Sequence, residues 1–253
     1  MNKPTIIFSL NKKLDKKVCL EFLSVKAGGI DFGKGIIKTH PKLSGILNNE
    51  PPVRRRIIES FVNNYYQDHQ KEMQAVLLRT ITNWDKINQK FYEKVETIFE
   101  GYPWSKDPYA GYLSIFNINP RFLENKSFQF FYLKSKTEIL NTIAHEMLHF
   151  MFYDYLEKSI TPINYPEETV WQLSELFNTL ILSQDEFKKL GVGSNICYPE
   201  LLKYLPEIKE LWFGRKNLQD FMQRSFDFLS SNQIVKNNRK KRVKRYFLKT
   251  PQK

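Results

Sequence analysis

The chain has 253 residues, which is enough for one large domain or two small ones with a substantial buried core. An aromatic content of 15% argues against intrinsic disorder, and no apolar run approaches the ~18–20 residues of a membrane-spanning helix. The first residues show no signal-peptide pattern. The two cysteines, Cys19 and Cys197, lie far apart and suit a reducing compartment, so a cytoplasmic location is predicted.

The net charge of +12 is concentrated near the end of the chain. Residues 234–253 contain nine Lys or Arg and no Asp or Glu, which leaves 30 basic and 27 acidic residues elsewhere, a net charge of +3. We predict that residues 233–253 form a basic tail. This tail is either a solvated, poorly ordered end or a contact for nucleic acid, an anionic membrane or an acidic partner, and nothing in it selects among these.

The first hundred residues fall into two predicted segments. Residues 1–50 contain a β-prone run at 5–10, a helix at 14–25 and a glycine-rich loop or hairpin at 27–41. His40, directly before a proline, is predicted to be an exposed loop residue. Residues 51–101 have apolar positions three and four apart with almost no helix breakers, which predicts two or three packed helices.

Residues 102–232 change character and form the third predicted segment. Two runs rich in aromatic and β-branched residues, 109–118 and 128–133, are predicted to be neighbouring strands. Ser135 and Glu138 then form a capping box, which predicts a helix over 136–156. A loop at 157–166, a helix to about Ser183 and further helices at 186–232 follow. The predicted fold is α+β and mostly helical, with a small mixed sheet before the 136–156 helix.

The sequence "AHEMLHF" (144–150) lies in the middle of that predicted helix. His145 and His149 are four residues apart, so both point to one helix face and can hold one metal ion. Glu146 is adjacent, and its carboxylate can reach a metal-bound water without being a ligand. The alternative is a helix that carries two His and a Glu on a polar stripe. About 0.003 chance matches to this motif are expected in such a chain, which favours the metal site.

Around this motif the chain resembles the zincin metallopeptidases, in which an edge strand that pairs with the peptide substrate precedes an HExxH helix. The resemblance covers roughly residues 109–183. It implies a zincin-like core, one Zn²⁺ per chain, and an edge strand at 128–133 that holds a peptide or protein substrate by backbone hydrogen bonds. The metzincin pattern does not fit, because Phe152 and Tyr155 stand where it needs Gly and His.

The third zinc ligand is implied to be a glutamate from the following helix, as in the gluzincin class, and two candidates stay open. Glu168 has 18 residues between it and His149, the spacing of the aminopeptidase-N-like family. Glu175 has 25 between, but its "WQLSELFN" is similar to the Asn-Glu-x-Phe segment of that family. The longer gap also resembles the regulatory peptidases that partner phage-type repressors. Glu175 is the preferred ligand and Glu168 the alternative.

Other polar residues near these positions have weaker predictions. Asn178 and Thr179, one turn after Glu175, either orient His145 or His149 as hydrogen-bond acceptors or are simply exposed or packed. Tyr198 and Tyr204 are candidates for stabilising the transition state, with aromatic packing as the alternative. The sequence therefore predicts a zinc peptidase with Glu146 as general base. The rival is a non-catalytic binding or regulatory protein with a vestigial metal site and a basic recognition tail.

Overall fold

The computed structural model of the protein describes residues 4–159, 165–193 and 197–234. The predicted basic tail at 233–253 lies almost entirely outside the described residues. The chain divides into two compact units. The first, here called the sheet unit, consists of Thr5–Lys86 and Pro108–Ile143, and the second, the helical unit, is built mainly from Ile87–Asp107 and the chain from Ala144 onward.

The sheet unit contains a four-stranded mixed sheet and a separate short hairpin. The sheet strands are β1 (Ile6–Leu10), β4 (Tyr109–Ser114), β5 (Arg121–Phe122) and β6 (Ser127–Phe131), and the hairpin strands are β2 (Lys26–Ala27) and β3 (Ile30–Asp31). The strand order is β1-β4-β6-β5, with the first three parallel and β5 antiparallel to β6. Phe8, Gly111 and Phe128 lie side by side, and a Cβ on Gly111 would come within 2.6 Å of the Phe8 ring.

Three helices complete this unit: α1 (Lys12–Phe22), α2 (Phe32–Thr39) and α3 (Pro51–Asp85). Asn11 caps α1 by accepting a hydrogen bond from the Leu14 amide, and two prolines occupy the first turn of α3, where their missing N–H groups cost nothing. Helix α1 packs against both α2 and α3. A helix is therefore confirmed near the predicted 14–25, with bounds 12–22. Helices are also confirmed over most of 51–101, as α3 and as α4 (Asn88–Ile98), which belongs to the helical unit.

The glycine-rich stretch 27–41 is a hairpin followed by a helix. Gly28 and Gly29 form the two-residue turn with φ angles of 60° and 82°, a conformation that glycine adopts without strain. The predicted hairpin is therefore confirmed, but the loop prediction is wrong for residues 32–39, which form α2. The side chain of Asp31 accepts a hydrogen bond from the Lys34 amide and so starts this helix.

The prediction that His40 is exposed is wrong, because only 5% of its surface reaches solvent. Its Nε2 lies 2.7 Å from the carbonyl oxygen of Ile115, and its ring packs edge-on against Phe61, Tyr65 and Phe116. Burial lowers the pKa of His40, although the contact with the Ile115 carbonyl opposes this. His40 is thus a buried histidine that joins the start of the chain to the end of β4.

A second correction concerns 128–133, which was predicted to be an edge strand. Strand β6 lies between β4 and β5, so it is inside the sheet. Strand β5 is short, but two further N–H groups of β6 that point away from β4 are also hydrogen-bonded. Gln129 N–H donates to the Pro120 carbonyl, and Phe131 N–H donates to Asn119 Oδ1. Because these donors are satisfied within the unit, a substrate strand cannot add along β6.

The helical unit contains α4 and most of α5 (Lys136–Ser159), followed by α6 (Glu167–Leu182), α7 (Asp185–Lys188), α8 (Leu205–Phe213) and α9 (Leu218–Ile234). Helix α6 packs against α8 and α9. Ten consecutive residues of α6, Leu173–Leu182, are buried, so this helix is enclosed on all sides over its C-terminal two-thirds. None of the helices in the described ranges combines the length and apolar character that a membrane span requires.

The helices around the HEMLH motif begin close to where the sequence predicted. The capping box is confirmed: Ser135 N–H donates to Glu138 Oε2 at 3.0 Å, and Glu138 N–H donates to Ser135 Oγ at 3.3 Å. Helix α5 then runs three residues beyond the predicted end. Part of the predicted loop at 157–166 lies outside the described residues. The predicted α+β, mostly helical fold with a small mixed sheet is confirmed.

Candidate metal centre

Helix α5 places the two histidines of the motif on one face, one turn apart. Their rings are nearly perpendicular, at 82°, with centroids 4.5 Å apart, and the two Nε2 atoms are separated by 3.0 Å. Two imidazole nitrogens at this distance can share at most one proton between them. The two Nε2 atoms therefore face a common point.

Helix α6 brings a carboxylate to the same point. Glu175 Oε2 lies 3.3 Å from His145 Nε2, and Glu175 Oε1 lies 3.3 Å from His149 Nε2. His145, His149 and Glu175 are thus the group of side chains in the described residues that can hold a metal ion. All three belong to the helical unit.

The spacing of these donor atoms fits zinc. Ligand atoms about 2.0–2.1 Å from a tetrahedral ion lie about 3.3–3.4 Å from each other, since the edge of a tetrahedron is about 1.63 times its centre-to-corner distance. The separations of 3.0, 3.3 and 3.3 Å in this site are close to that edge. Two imidazoles and one carboxylate are also a donor set that catalytic zinc uses. The residues present therefore fit a tetrahedral ion with one further position for a non-protein ligand.

The charge state of Glu175 suits a metal ligand. Burial raises the pKa of this carboxyl, but the charge of His149 and hydrogen bonds with both imidazoles outweigh burial and hold the pKa well below its ordinary value. Glu175 is therefore ionised at neutral pH. The exposed fraction of the side chain is 24% for His145, 7% for Glu175 and zero for His149, so solvent reaches the site from the His145 side.

The other two acidic residues singled out by the sequence lie in different positions. Glu146 follows His145 on α5, and only 5% of its surface is exposed, so this acidic residue is buried next in sequence to a candidate ligand. Glu168 lies in the first turn of α6, where its Oε1 accepts a hydrogen bond from Gln172 Nε2 at 2.9 Å. It is not a member of the cluster that the described residues form.

The residues after Glu175 connect the two ligand helices. Asn178 Nδ2 donates a 2.8 Å hydrogen bond to the backbone carbonyl of His145, so it holds the main chain of a ligand residue and not its imidazole. Thr179 donates to the Glu175 carbonyl within its own helix. A second link lies on the other side of Glu175, where Tyr153 and Ser174 hydroxyls are 3.1 Å apart. Sequence reasoning missed this second link, because nothing local pairs residues 21 positions apart.

A short segment after α7 lies along the same face of α6 as the carboxylate ligand. The ring of Tyr198 packs edge-on against Trp171, one turn before Glu175, and Cys197 interacts with Thr179, one turn after it. Burial raises the pKa of the Cys197 thiol, although the hydrogen bond with Thr179 opposes this, so the thiol is protonated at neutral pH. No local pattern in the sequence indicates the position of Cys197.

The second aromatic candidate has a packing role. Tyr204 is 7% exposed, its ring meets Phe228 edge-on, and Lys203 Nζ lies 4.7 Å above it. These contacts account for its position within the helical unit. Of the two tyrosines, Tyr198 is therefore the one that the structure brings to the face of α6 that carries Glu175.

No protein-family model matches the sequence, and no curated protein or solved structure is similar enough to count as a match. The functional assignment therefore depends on the geometry of the site and on the chemistry of its residues.

Proposed function

We propose that the protein is a zinc-dependent peptidase with a zincin-like, gluzincin-type site, in which His145, His149 and Glu175 hold the metal. The observation that carries this proposal is the set of donor separations, which match the edges of a tetrahedron around zinc. Zinc held by these donors would lower the pKa of a water ligand to about 7 and polarise the carbonyl of a peptide substrate.

The proposed role of Glu146 is that of general base and then general acid. A water oxygen attacks the peptide carbonyl carbon, and Glu146 takes the proton that the water loses. The C–N bond then breaks, and the proton passes from Glu146 to the leaving amine. The position of Glu146 beside His145, with 5% of its surface exposed, supports this role, because a carboxylate shielded from bulk water can accept and return a proton within the site.

A catalytic site is favoured over a structural or vestigial one. Structural zinc sites are closed by four protein ligands, often with cysteine, whereas the cluster formed by the described residues has three. Solvent access at His145 leaves room for water and substrate on that side. We place the enzyme in the cytoplasm, with a peptide or protein as substrate. Because β6 is internal, recognition does not use backbone pairing along that strand.

The test compares Glu146→Gln with wild type, using zinc-loaded protein and a quenched fluorescent peptide library of random sequence. We expect both proteins to bind about one zinc per chain and Glu146→Gln to lose hydrolysis roughly 100- to 10,000-fold, the usual contribution of proton transfer. Glu157→Gln, an exposed change on the same helix, is the matched control and should keep full activity. Equal hydrolysis by Glu146→Gln and wild type, or a wild-type protein that binds no zinc, would overturn the proposal.

A further inference from the structure

Positive charge within the described residues is concentrated in one part of the sheet unit. Residues 12–56, here called the basic segment, contain 11 Lys or Arg and four Asp or Glu, a net charge of +7. Residues 57–232 contain 18 basic and 23 acidic residues, a net charge of −5. The sequence analysis assigned the positive charge to the tail. Charge is also unevenly distributed before the tail, with an excess of cations in 12–56 and of anions in 57–232. Such asymmetry is typical of proteins that bind polyanions.

The basic segment forms one compact group of helices. It comprises α1, the hairpin of β2 and β3, α2, two short turns of helix and the start of α3, and α1 packs against α2 and against α3. On α1 the apolar residues Val18, Cys19 and Phe22 are buried, while Lys12 and Lys13 are exposed. The cations therefore project from the outer surface of this group, and the apolar side chains form its interior.

Helices α2 and α3 continue the same pattern. Lys34 and Lys38 are exposed and lie one turn apart on α2, whose Phe32 and Ile36 are buried. Arg54 has a structural role, because it donates to the carbonyls of Leu47 and Asn49 and so fixes the start of α3. The exposed charges are thus mostly lysines on short helices that are held in place by packing.

The acidic residues of the segment neutralise few of these charges. Asp15 is buried and accepts its hydrogen bonds from neutral groups. Asp31 forms an ion pair with Lys26 at 3.0 Å, and Glu21 lies 4.0 Å from Lys17. Two pairs leave most of the cations of the segment available to an external anion.

We propose that the basic segment binds the phosphate backbone of nucleic acid without reading its sequence. Lysine is a point charge suited to phosphates, whereas base recognition commonly uses arginine that contacts guanine with two hydrogen bonds. Membrane binding by a surface helix needs apolar side chains that face the lipid. On α1 and α2 most apolar residues are buried or half-buried and none is fully exposed, whereas Lys12, Lys13, Lys34 and Lys38 are exposed.

This inference does not depend on the metal centre, which belongs to the helical unit. It also differs from the predicted role of the tail, because the basic segment (12–56) and the tail (233–253) lie near opposite ends of the sequence. The test must therefore use the full chain, so that the tail is present in every variant. Only the charges of the basic segment should change.

The experiment measures the affinity for a fluorescein-labelled DNA duplex of mixed sequence by fluorescence anisotropy, between about 50 and 200 mM salt. The test variant replaces Lys12, Lys13, Lys34 and Lys38 with Gln. The matched control replaces Lys71, Lys90, Lys189 and Lys209 with Gln, which removes the same charge from exposed positions outside the segment. Melting temperatures of both variants should equal that of wild type, because all eight lysines are exposed.

We expect the test variant to bind at least about tenfold more weakly at low salt, with a salt slope reduced by about one for each lysine that contacts a phosphate. The control should lose no more than about threefold, through the weaker long-range attraction alone. Equal losses in the two variants would show that net charge and not the basic segment determines binding. Binding by wild type to phosphatidylserine vesicles but not to DNA would overturn the proposal in favour of a membrane surface.

Discussion

Asn178 on α6 donates a 2.8 Å hydrogen bond to the backbone carbonyl of His145 on α5. This bond joins the helix of Glu175 to the helix of His145 and His149 at the level of the candidate metal centre. Asn178 is fully buried, and its Oδ1 has no hydrogen-bond partner among the described residues. The side chain therefore makes one hydrogen bond, which ties the two helices together beside the Tyr153–Ser174 contact.

Replacing Asn178 with Leu should weaken zinc binding by about 10- to 100-fold, the range that outer-shell changes usually produce. The cause is a small shift of Glu175 relative to His145 once the bond between the helices is lost. Zinc affinity is measured by competition with a chromophoric chelator. Ser183→Ala, which removes a hydroxyl bonded only within α6, is the control and should bind zinc like wild type. An unchanged affinity in Asn178→Leu would show that packing alone fixes the helices.

The third ligand can be identified by metal content. Glu175→Ala should weaken zinc binding by more than about 100-fold, because two histidines alone bind zinc poorly and an outer-shell change costs less than this. Glu168→Ala should keep about one zinc per chain, since Glu168 bonds to Gln172 in the first turn of α6. Elemental analysis after dialysis gives the zinc content of each variant. Loss of zinc in Glu168→Ala with retention in Glu175→Ala would reverse the assignment.

The buried carboxyl of Asp15 predicts a pH dependence of stability. Burial raises the pKa of Asp15 from 3.8 to about 6, although several hydrogen bonds lower it. Its donors are Ser114 Oγ, Tyr66 Oη, Gln129 Nε2 and the Ile115 amide. Because the folded pKa lies above the unfolded value, the folded state binds more protons in this window. The stabilisation that comes from keeping the Asp15 carboxyl protonated is thus fully present below about pH 4 and is lost as pH rises through 6.

Asp15→Asn should remove this component of the pH dependence. Between about pH 4 and 7, the free energy of unfolding of wild type should fall by about 2 kcal/mol relative to that of the variant. Urea denaturation at several pH values measures both proteins, and the comparison cancels the contributions of other carboxyls. Parallel curves for the two proteins would show that Asp15 keeps an ordinary pKa in the folded state.

Deletion of residues 235–253 should leave folding and peptide hydrolysis nearly unchanged. The cut falls after Ile234, the last residue of α9, and it reduces the net charge from +12 to +3. Affinity for a DNA duplex should fall and lose part of its salt dependence, while the basic segment retains the rest. Circular dichroism and anisotropy check the two outcomes. A truncated protein that does not fold would place part of the tail in the core.

Local signals in the sequence were sufficient for the helices that carry the site. Ser135 and Glu138 form their capping box within four residues, and the spacing of His145 and His149 directly determines their shared helix face. Hydrogen bonds and turns of this kind close within a single element. They can therefore be predicted without knowing which elements pack together.

Features that depend on packing between distant residues could not be predicted in this way. The burial of His40 is decided by Ile115, 75 positions later in the chain, and by the rings of Phe61, Tyr65 and Phe116. The internal position of β6 depends on β5, whose two residues have no strand signal of their own. The choice between Glu168 and Glu175 also stayed open, because both lie on one helix and only its packing against α5 brings one to the histidines.

In the proposed metal site, the enclosure of α6 would restrict which ions can bind. Glu175 belongs to ten consecutive buried residues, so its backbone cannot shift without opening the core on several sides. An ion such as Ca²⁺, which takes six to eight oxygen ligands at about 2.3–2.6 Å, would require the donors to move apart. The surrounding apolar side chains resist that movement. Selectivity for a small tetrahedral ion is therefore a property of the hydrophobic core as much as of the three ligands.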